Sequence, residues 1–188
     1  MKRRLFLTGP IGCGKSTAIQ TALGDRLTAC GGFLTRRYRE PHLHFTLESP
    51  DGSKKEVFLD FSSGKPRLKV SVFSTFGKEL LQPSRDDASI APCVLDEIGG
   101  IELLNTDFAS ALDAVLKSDT PIIGVMKGEG PAGALIEALG LAREYEIAVS
   151  QLREKLHNDP DTLLYECKQY EENALLLAKQ WTEEYLHD

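Results

Sequence analysis

A chain of 188 residues, 41% hydrophobic and 27% charged, has the length and composition of one ordinary globular domain with a single sizeable core. Its net charge of −6 argues against a generic polyanion binder, because affinity for a phosphate backbone needs a basic surface that releases counterions, and so argues against nucleic acid as a partner. The basic start MKRRLFLTGP runs into glycines rather than a cleavable apolar segment, no window of about 18 apolar residues occurs, and the four cysteines (Cys13, Cys30, Cys93, Cys167) form no C-x-x-C pair, so the expectation is a cytoplasmic protein with reduced thiols, no membrane span, no zinc site and no disulfide framework.

In chain order, RRLFLT reads as a short strand, GPIGCGKS as a glycine-rich loop, and STAIQTALGDRL as a helix that Gly24 and Asp25 end. Alternating segments from Gly31 to Phe61 surround the turn signal Ser49-Pro50-Asp51-Gly52 and predict strands with an antiparallel hairpin near residues 42–60. A short strand near Leu68 to Phe73 and a helix near Thr75 to Leu81 are expected next. After Pro92 the run CVL predicts a second buried strand. In IELLNTDFASALDAVLK, apolar Leu104, Phe108, Leu112 and Val115 stand at helical spacing, and PIIGVM predicts a third buried strand. PAGALIEALG reads as a helix. The alternation of Tyr145, Ile147 and Val149 in EYEIAVS favours a further strand. The last segment, 159–186, is expected to be one long amphipathic helix with Asp159 as N-cap and Pro160 in its first position. Strands alternating with helices imply one domain, residues 1–188, of the α/β class: a mainly parallel sheet with helices on both faces.

The segment Gly9-Pro10-Ile11-Gly12-Cys13-Gly14-Lys15-Ser16 fits G-x-x-x-x-G-K-[ST] and lies between a strand and a helix, the context that gives this pattern meaning. Triphosphate oxygens need many donors converging in a small space. Glycines let backbone N–H groups turn inward, and the helix N-terminus adds a favourable dipole. Lys15 is the candidate point charge for the β- and γ-phosphates, Ser16 a magnesium ligand, and Thr17 a contact nearer the α-phosphate. Cys13 fills a loop position that suits a small side chain.

The stretch CVLDEIGG ends an apolar run with two adjacent acids. An acid at the end of a buried strand commonly orients the magnesium shell in phosphate-loop proteins, which is the role expected of Asp96. The next residue on a strand projects elsewhere, so Glu97 can face the far side of the γ-phosphate and orient an attacking water. The pair therefore favours hydrolysis over transfer.

GPIGCGKST, GGFLTRRYRE, DEIGGIEL and PIIGVMK, in that order, resemble the nucleoside-triphosphatases related to the human cancer-related nucleoside-triphosphatase. The resemblance runs from about residue 3 to 127 and more faintly to about 155, with DEIG followed by an apolar residue and Glu-Leu its most discriminating motif. It implies a RecA-like fold and magnesium-dependent hydrolysis of ATP, GTP and other nucleoside triphosphates. It also implies nucleotide contacts by Gly9 through Thr17, and metal and water roles for Asp96 and Glu97. The sequence departs from the family at GGFLTRRYRE and HLHF, and at Met126-Lys127-Gly128, where the family tends to show His-Arg; Arg153 stands one position short of the family's late Asn-Arg.

Lys127, at the end of the third buried strand, is a further candidate for the nucleotide site, because ligands of open α/β sheets gather at the carboxyl ends of strands. Arg36, Arg37 and Arg39 form a cationic cluster that reads more simply as a solvated face. His42 and His44 lack ligand partners at metal spacing. In the last segment, Leu164, Cys167, Tyr170, Ala174, Leu177, Ala178, Trp181 and Tyr185 form a stripe suited to core packing, with Trp181 or Tyr185 able to flank a nucleobase. Two other function classes stay open: a small nucleotide or nucleoside kinase, which needs an acceptor site, and a nucleotide-gated regulatory module with slow hydrolysis.

Overall fold

The computed structural model describes residues 1–86, 91–128, 136–137, 140–168 and 172–186. Among them, eight strands form one sheet in the order β5-β4-β3-β2-β6-β7-β1-β8. These are β1 (Arg4–Thr8), β2 (Cys30–Tyr38), β3 (His44–Glu48), β4 (Lys55–Asp60), β5 (Arg67–Leu68), β6 (Ala91–Ile98), β7 (Ile122–Met126) and β8 (Thr162–Glu166). The five strands β2, β6, β7, β1 and β8 run parallel. The sheet is extended past β2 by antiparallel pairing of β3, β4 and β5, which includes the hairpin expected near residues 42–60.

Helices cover both faces, as the alternation of strands and helices requires. On one face α1 (Lys15–Leu23) and α5 (Glu172–Tyr185) pack over Leu5, Leu7, Val94, Ile123 and Val125. On the other, α2 (Lys78–Asp86), α3 (Thr106–Lys117) and α4 (Ala142–Asn158) cover Phe6, Phe33, Leu95 and Ile122. The opposite facing of Phe6 against Leu5 and Leu7 is the period of two expected of a strand buried on both sides. Helix α3 begins where the Asn105 side chain accepts a 2.9 Å hydrogen bond from the Phe108 N–H. It buries Phe108, Leu112, Val115 and Leu116 along one stripe. Complete burial of a side chain such as Phe108 contributes about 2–3 kcal/mol.

Three expectations from the sequence are corrected. The segment containing EYEIAVS is helix α4, not a strand: Tyr145, Val149, Leu152 and Leu156 recur at helical spacing and pack on the core, while Ile147, the middle member of the apparent alternation, is 49% exposed. The segment 159–186 is not one helix. Asp159 follows α4, β8 then runs to Glu166, and α5 begins only at Glu172. Asp159 does make cap-like hydrogen bonds, accepting from the Asp161 N–H and the Thr162 hydroxyl, but they close a turn that feeds β8 into register beside β1. Side-chain capping chemistry is the same in a turn and at a helix start, so the sequence signal did not distinguish them. Finally, the strand expected over Leu68 to Phe73 is confined to Arg67–Leu68, and residues Phe73–Gly77 form a π-type turn leading into α2. The helix read in PAGALIEALG lies largely outside the described residues.

Candidate active site

The loop between β1 and α1 is shaped by contacts from other strands. Gly9 has φ of +128°, and a Cβ there would lie 2.3 Å from the Cys167 carbonyl oxygen, just past β8. Gly14, at φ +90°, turns the chain into α1, whose N-terminus carries no side-chain cap. That leaves the first-turn amides of the helix without a side-chain acceptor, as an anion site requires. Lys15 is 8% exposed; its ammonium donates to the carbonyls of Gly9 (2.9 Å) and Pro10 (2.7 Å) and lies 3.6 Å from Cys13 Sγ. Cys13 is itself buried, as a small loop-filling side chain should be.

The mid-chain acids reach this loop from β6. Asp96, 2% exposed, accepts a 2.8 Å hydrogen bond from the Ser16 hydroxyl and a 3.4 Å contact from the Gln20 amide. Arg36 in turn donates to the Gln20 side-chain oxygen at 3.1 Å. Burial pushes the Asp96 carboxyl up to about 6, against the opposing hydrogen bond from Ser16; the adjacent Glu97 charge raises it further, and Arg36 and the Gln20 hydrogen bond act against that. The Asp96–Glu97 peptide is cis. Glu97 is half-buried and faces a cleft of about 300 Å³ lined by Ile11, Gly12, Gly14, Lys15, Ser16, Thr17 and Val125. The two neighbouring carboxylates therefore have separate surroundings: Asp96 is engaged by α1, and Glu97 opens onto the glycine loop.

Behind Glu97 the chain is tied down by residues that spacing alone did not single out. Glu102 is buried, and its Oε1 accepts from the Gly99 N–H (2.8 Å) and the Gly100 N–H (2.7 Å). Burial raises its carboxyl, with the two amides and the Lys127 charge opposing. The Tyr145 hydroxyl donates to the Gly99 carbonyl at 3.1 Å from α4. In the sequence, Glu102 stands out only through the DEIGGIEL motif, and the alternation around Tyr145 points to a strand rather than to this contact.

The other candidates divide. Lys127 follows β7, donates its backbone N–H to the Ile98 carbonyl at 2.8 Å, and lines a cavity that also touches Glu97 and Glu102 but not the phosphate loop. Arg36 and Arg37 project to opposite faces of β2: Arg36 joins the Gln20–Asp96 chain, while Arg37 lies 5.8 Å over the Phe45 ring. Arg39 is exposed. Arg153, on α4, donates to the Lys127 carbonyl at 3.0 Å and lines a separate cleft with Gly9, Pro10, His157 and Glu166. His42 pairs with Asp60 at 3.0 Å. Trp181 is fully buried, and its indole N–H donates to the Arg3 carbonyl at 3.2 Å; Tyr185 donates to the Met1 carbonyl at 2.7 Å. Both therefore pack at the amino-terminal end of β1, away from the glycine loop.

The family model described as NTPase matches residues 4–159. The chain belongs to that family. Among proteins similar to this NTPase-family chain, the cancer-related nucleoside-triphosphatase of Homo sapiens is 30% identical over 181 residues, 86% of this chain and 95% of that one. The nucleoside-triphosphatase THEP1 of Methanocaldococcus jannaschii is 28% identical over 135 residues, 65% of this chain and 77% of that one. The crystal structure of THEP1 from Aquifex aeolicus superposes with a TM-score of 0.65 at 18% identity, covering 98% of this chain and 99% of that one, which is a likeness of fold. Among the described residues no helix is long and apolar enough to cross a membrane.

Proposed function

We propose that this nucleoside-triphosphatase hydrolyses nucleoside triphosphates, ATP and GTP among them, to the diphosphate and phosphate in a magnesium-dependent reaction centred on the cleft between the glycine loop and Glu97. The observation that carries this reading is that Glu97 lines the same cleft as Gly12, Gly14, Lys15, Ser16 and Thr17 while Asp96 is hydrogen-bonded to Ser16.

The residues fit magnesium. Ser16 and Asp96 offer two hard oxygen donors within 2.8 Å of each other. Among the described residues no group of three or more His, Cys, Asp or Glu side chains forms a metal cage. Magnesium is usually held by one or two carboxylates together with substrate phosphates, which a sparse donor set suits. Bound there, it would neutralise charge developing on the phosphoryl oxygens.

The chain's own groups supply the rest. The backbone N–H groups between Gly9 and Thr17, to which Pro10 adds none, and the α1 N-terminus hold the phosphates. The Lys15 ammonium, whose present acceptors are two loop carbonyls, offers its charge to the β- and γ-phosphate oxygens. Glu97 orients a water for in-line attack and accepts its proton. Lys127 lines the second cavity beside Glu97, where its charge acts on the Glu102 carboxylate. The four cysteines are buried and none is joined in a disulfide, in keeping with a reducing cytoplasmic setting.

Glu97→Gln tests the assignment. The variant is expected to bind ATP about as well as the wild type while phosphate release falls by about 10²–10⁴-fold, the usual size of a general-base contribution. Unchanged release would reject Glu97 as the group that positions water.

A further inference from the structure

Glu97 lines two cavities. The phosphate cleft is the first. The second, about 140 Å³, is walled by Phe33, Phe45, Phe58 and Phe73, and its polar groups are Thr35, Glu97, Glu102 and Lys127. It shares Glu97 with the phosphate cleft and contains no residue of the glycine loop.

Its construction follows from β2 and its antiparallel neighbours. Phe33 and Thr35 point to the same face of β2, two residues apart. Phe45 and Phe58 come from β3 and β4, the strands that extend the parallel sheet, and Phe73 from the turn before α2. The rings pack tilted against one another: Phe58 and Phe73 lie 5.1 Å apart at 50°, and Phe45 and Phe58 lie 6.3 Å apart at 45°. The Thr35 hydroxyl oxygen accepts the Glu97 N–H at 3.4 Å, which joins this wall to the carboxylate.

Thr35 and Lys127 supply polar groups near Glu97, and positioning a water does not need the aromatic walls beyond them. Apolar cavities of about 150 Å³ take one benzene-sized ring. A body of that size, carrying a hydroxyl on the side facing Glu97, would present its oxygen to the group that otherwise orients water. We propose that this cavity is an acceptor site for a small monocyclic alcohol or phenol, and that the protein transfers the terminal phosphoryl group of a nucleoside triphosphate to that hydroxyl in competition with hydrolysis. The proposal rests on the assignment of the glycine loop and Glu97 given above.

In the transfer, the acceptor oxygen forms a bond to the terminal phosphorus. The bond from that phosphorus to the bridging oxygen breaks, its electron pair leaving on the nucleoside diphosphate, and the hydroxyl proton passes to the Glu97 carboxylate. The products are a phosphate monoester and a nucleoside diphosphate. A nucleoside is too large to be enclosed by this cavity, which sets the proposed acceptors apart from nucleosides and nucleotides.

The test incubates the full chain with ATP and magnesium and, in separate reactions, phenol, benzyl alcohol, cyclohexylmethanol, adenosine or AMP. Phosphate monoester is measured by mass spectrometry and inorganic phosphate by colorimetry. The expected result is a monoester of at least one ring alcohol. Leu59 of β4 also lines the cavity, and two substitutions that narrow it from different strands, Phe45→Trp and Leu59→Phe, are expected to lower the ratio of ester to inorganic phosphate by about tenfold, the discrimination that small changes of pocket volume support. Because the readout is a ratio, a general loss of activity does not mimic the effect.

Inorganic phosphate without any ester overturns the acceptor site and leaves the hydrolytic reading intact. Neither product overturns both. Ester formation with a ratio that neither substitution changes, or transfer to adenosine or AMP but to none of the ring alcohols, overturns the cavity as the site.

Discussion

The Ser16 hydroxyl donates a 2.8 Å hydrogen bond to Asp96 Oδ1 across 80 residues of chain. This contact joins the start of α1 to the end of β6 and sets the distance between the phosphate loop and the mid-chain acids. Because the two side chains form one metal-binding unit in the proposed mechanism, their losses should not add. Ser16→Ala and Asp96→Asn are each expected to lower phosphate release by about 10²-fold or more, with the double variant little worse than the weaker single one. Magnesium titration of phosphate release checks this; additive losses would separate the two residues.

Gly9 stands at φ +128°, and a Cβ would meet the Cys167 carbonyl at 2.3 Å. Both the backbone conformation and the backbone contact oppose any side chain. Gly9→Ala is expected to cost about 2–4 kcal/mol of stability and to weaken ATP binding, because the loop can relieve the clash only by moving away from β8. Urea denaturation and nucleotide titration provide the measurement, and a variant with wild-type values in both would contradict the geometry.

Glu102 holds two buried amide N–H groups, so removing its acceptor and keeping it should differ. Glu102→Ala is expected to cost about 2–3 kcal/mol by leaving those donors unpaired, and Glu102→Gln, which keeps an acceptor oxygen, clearly less. The carboxyl is raised by burial above its ordinary 4.5. Its proton-linked contribution to stability is therefore complete below that value and is lost as pH rises through the folded-state value. Glu102→Gln should accordingly gain on the wild type as pH rises. Denaturation curves across pH test both statements, and a gap that widens in the wild type's favour on raising pH would reverse the sign.

Asp159 joins β1 to the turn before β8: it pairs with Arg4, only 6% exposed, at 2.8 Å. Its carboxyl is held below the ordinary 3.8; burial opposes this, and the Thr162 and Asp161 hydrogen bonds and Arg4 outweigh it. For a lowered acid the stabilisation is present above the unfolded value and lost as pH falls through the folded one. Asp159→Asn should cost about 2 kcal/mol at pH 7, by weakening a charged hydrogen bond, and progressively less in acid. Equal losses at neutral and strongly acid pH would show that the charge is not responsible.

Local pattern reported some of this molecule faithfully. The strand, loop and helix around Gly9 to Ser16, the hairpin around Ser49 to Gly52, and the Phe108, Leu112, Val115 stripe of α3 are each built from residues close in sequence, where spacing and turn chemistry fix the conformation. The C-terminal third misled for the same reason in reverse. Leu163, Leu164 and Tyr165 are a strand because β1 offers an open parallel edge, and that edge is about 160 residues away in sequence, as the pairing of Arg4 with Thr162 records. Apolar residues near Trp181 continue the stripe on paper, but the chain reverses into β8 before α5 begins.

The sequence by itself determined which groups the proposed chemistry rests on: a glycine loop with its lysine and serine, and an acid pair at the end of a buried strand. It also suggested that adjacent acids would face different ways, since neighbouring side chains on a strand diverge. Only the tertiary structure decided what each acid meets, because the partners Ser16, Gln20 and Arg36 come from α1 and β2. The same holds for the aromatic cavity behind Glu97, whose walls are brought together by sheet order. Strand order and crossover packing arise from burial summed over the whole chain, and no local window contains that sum.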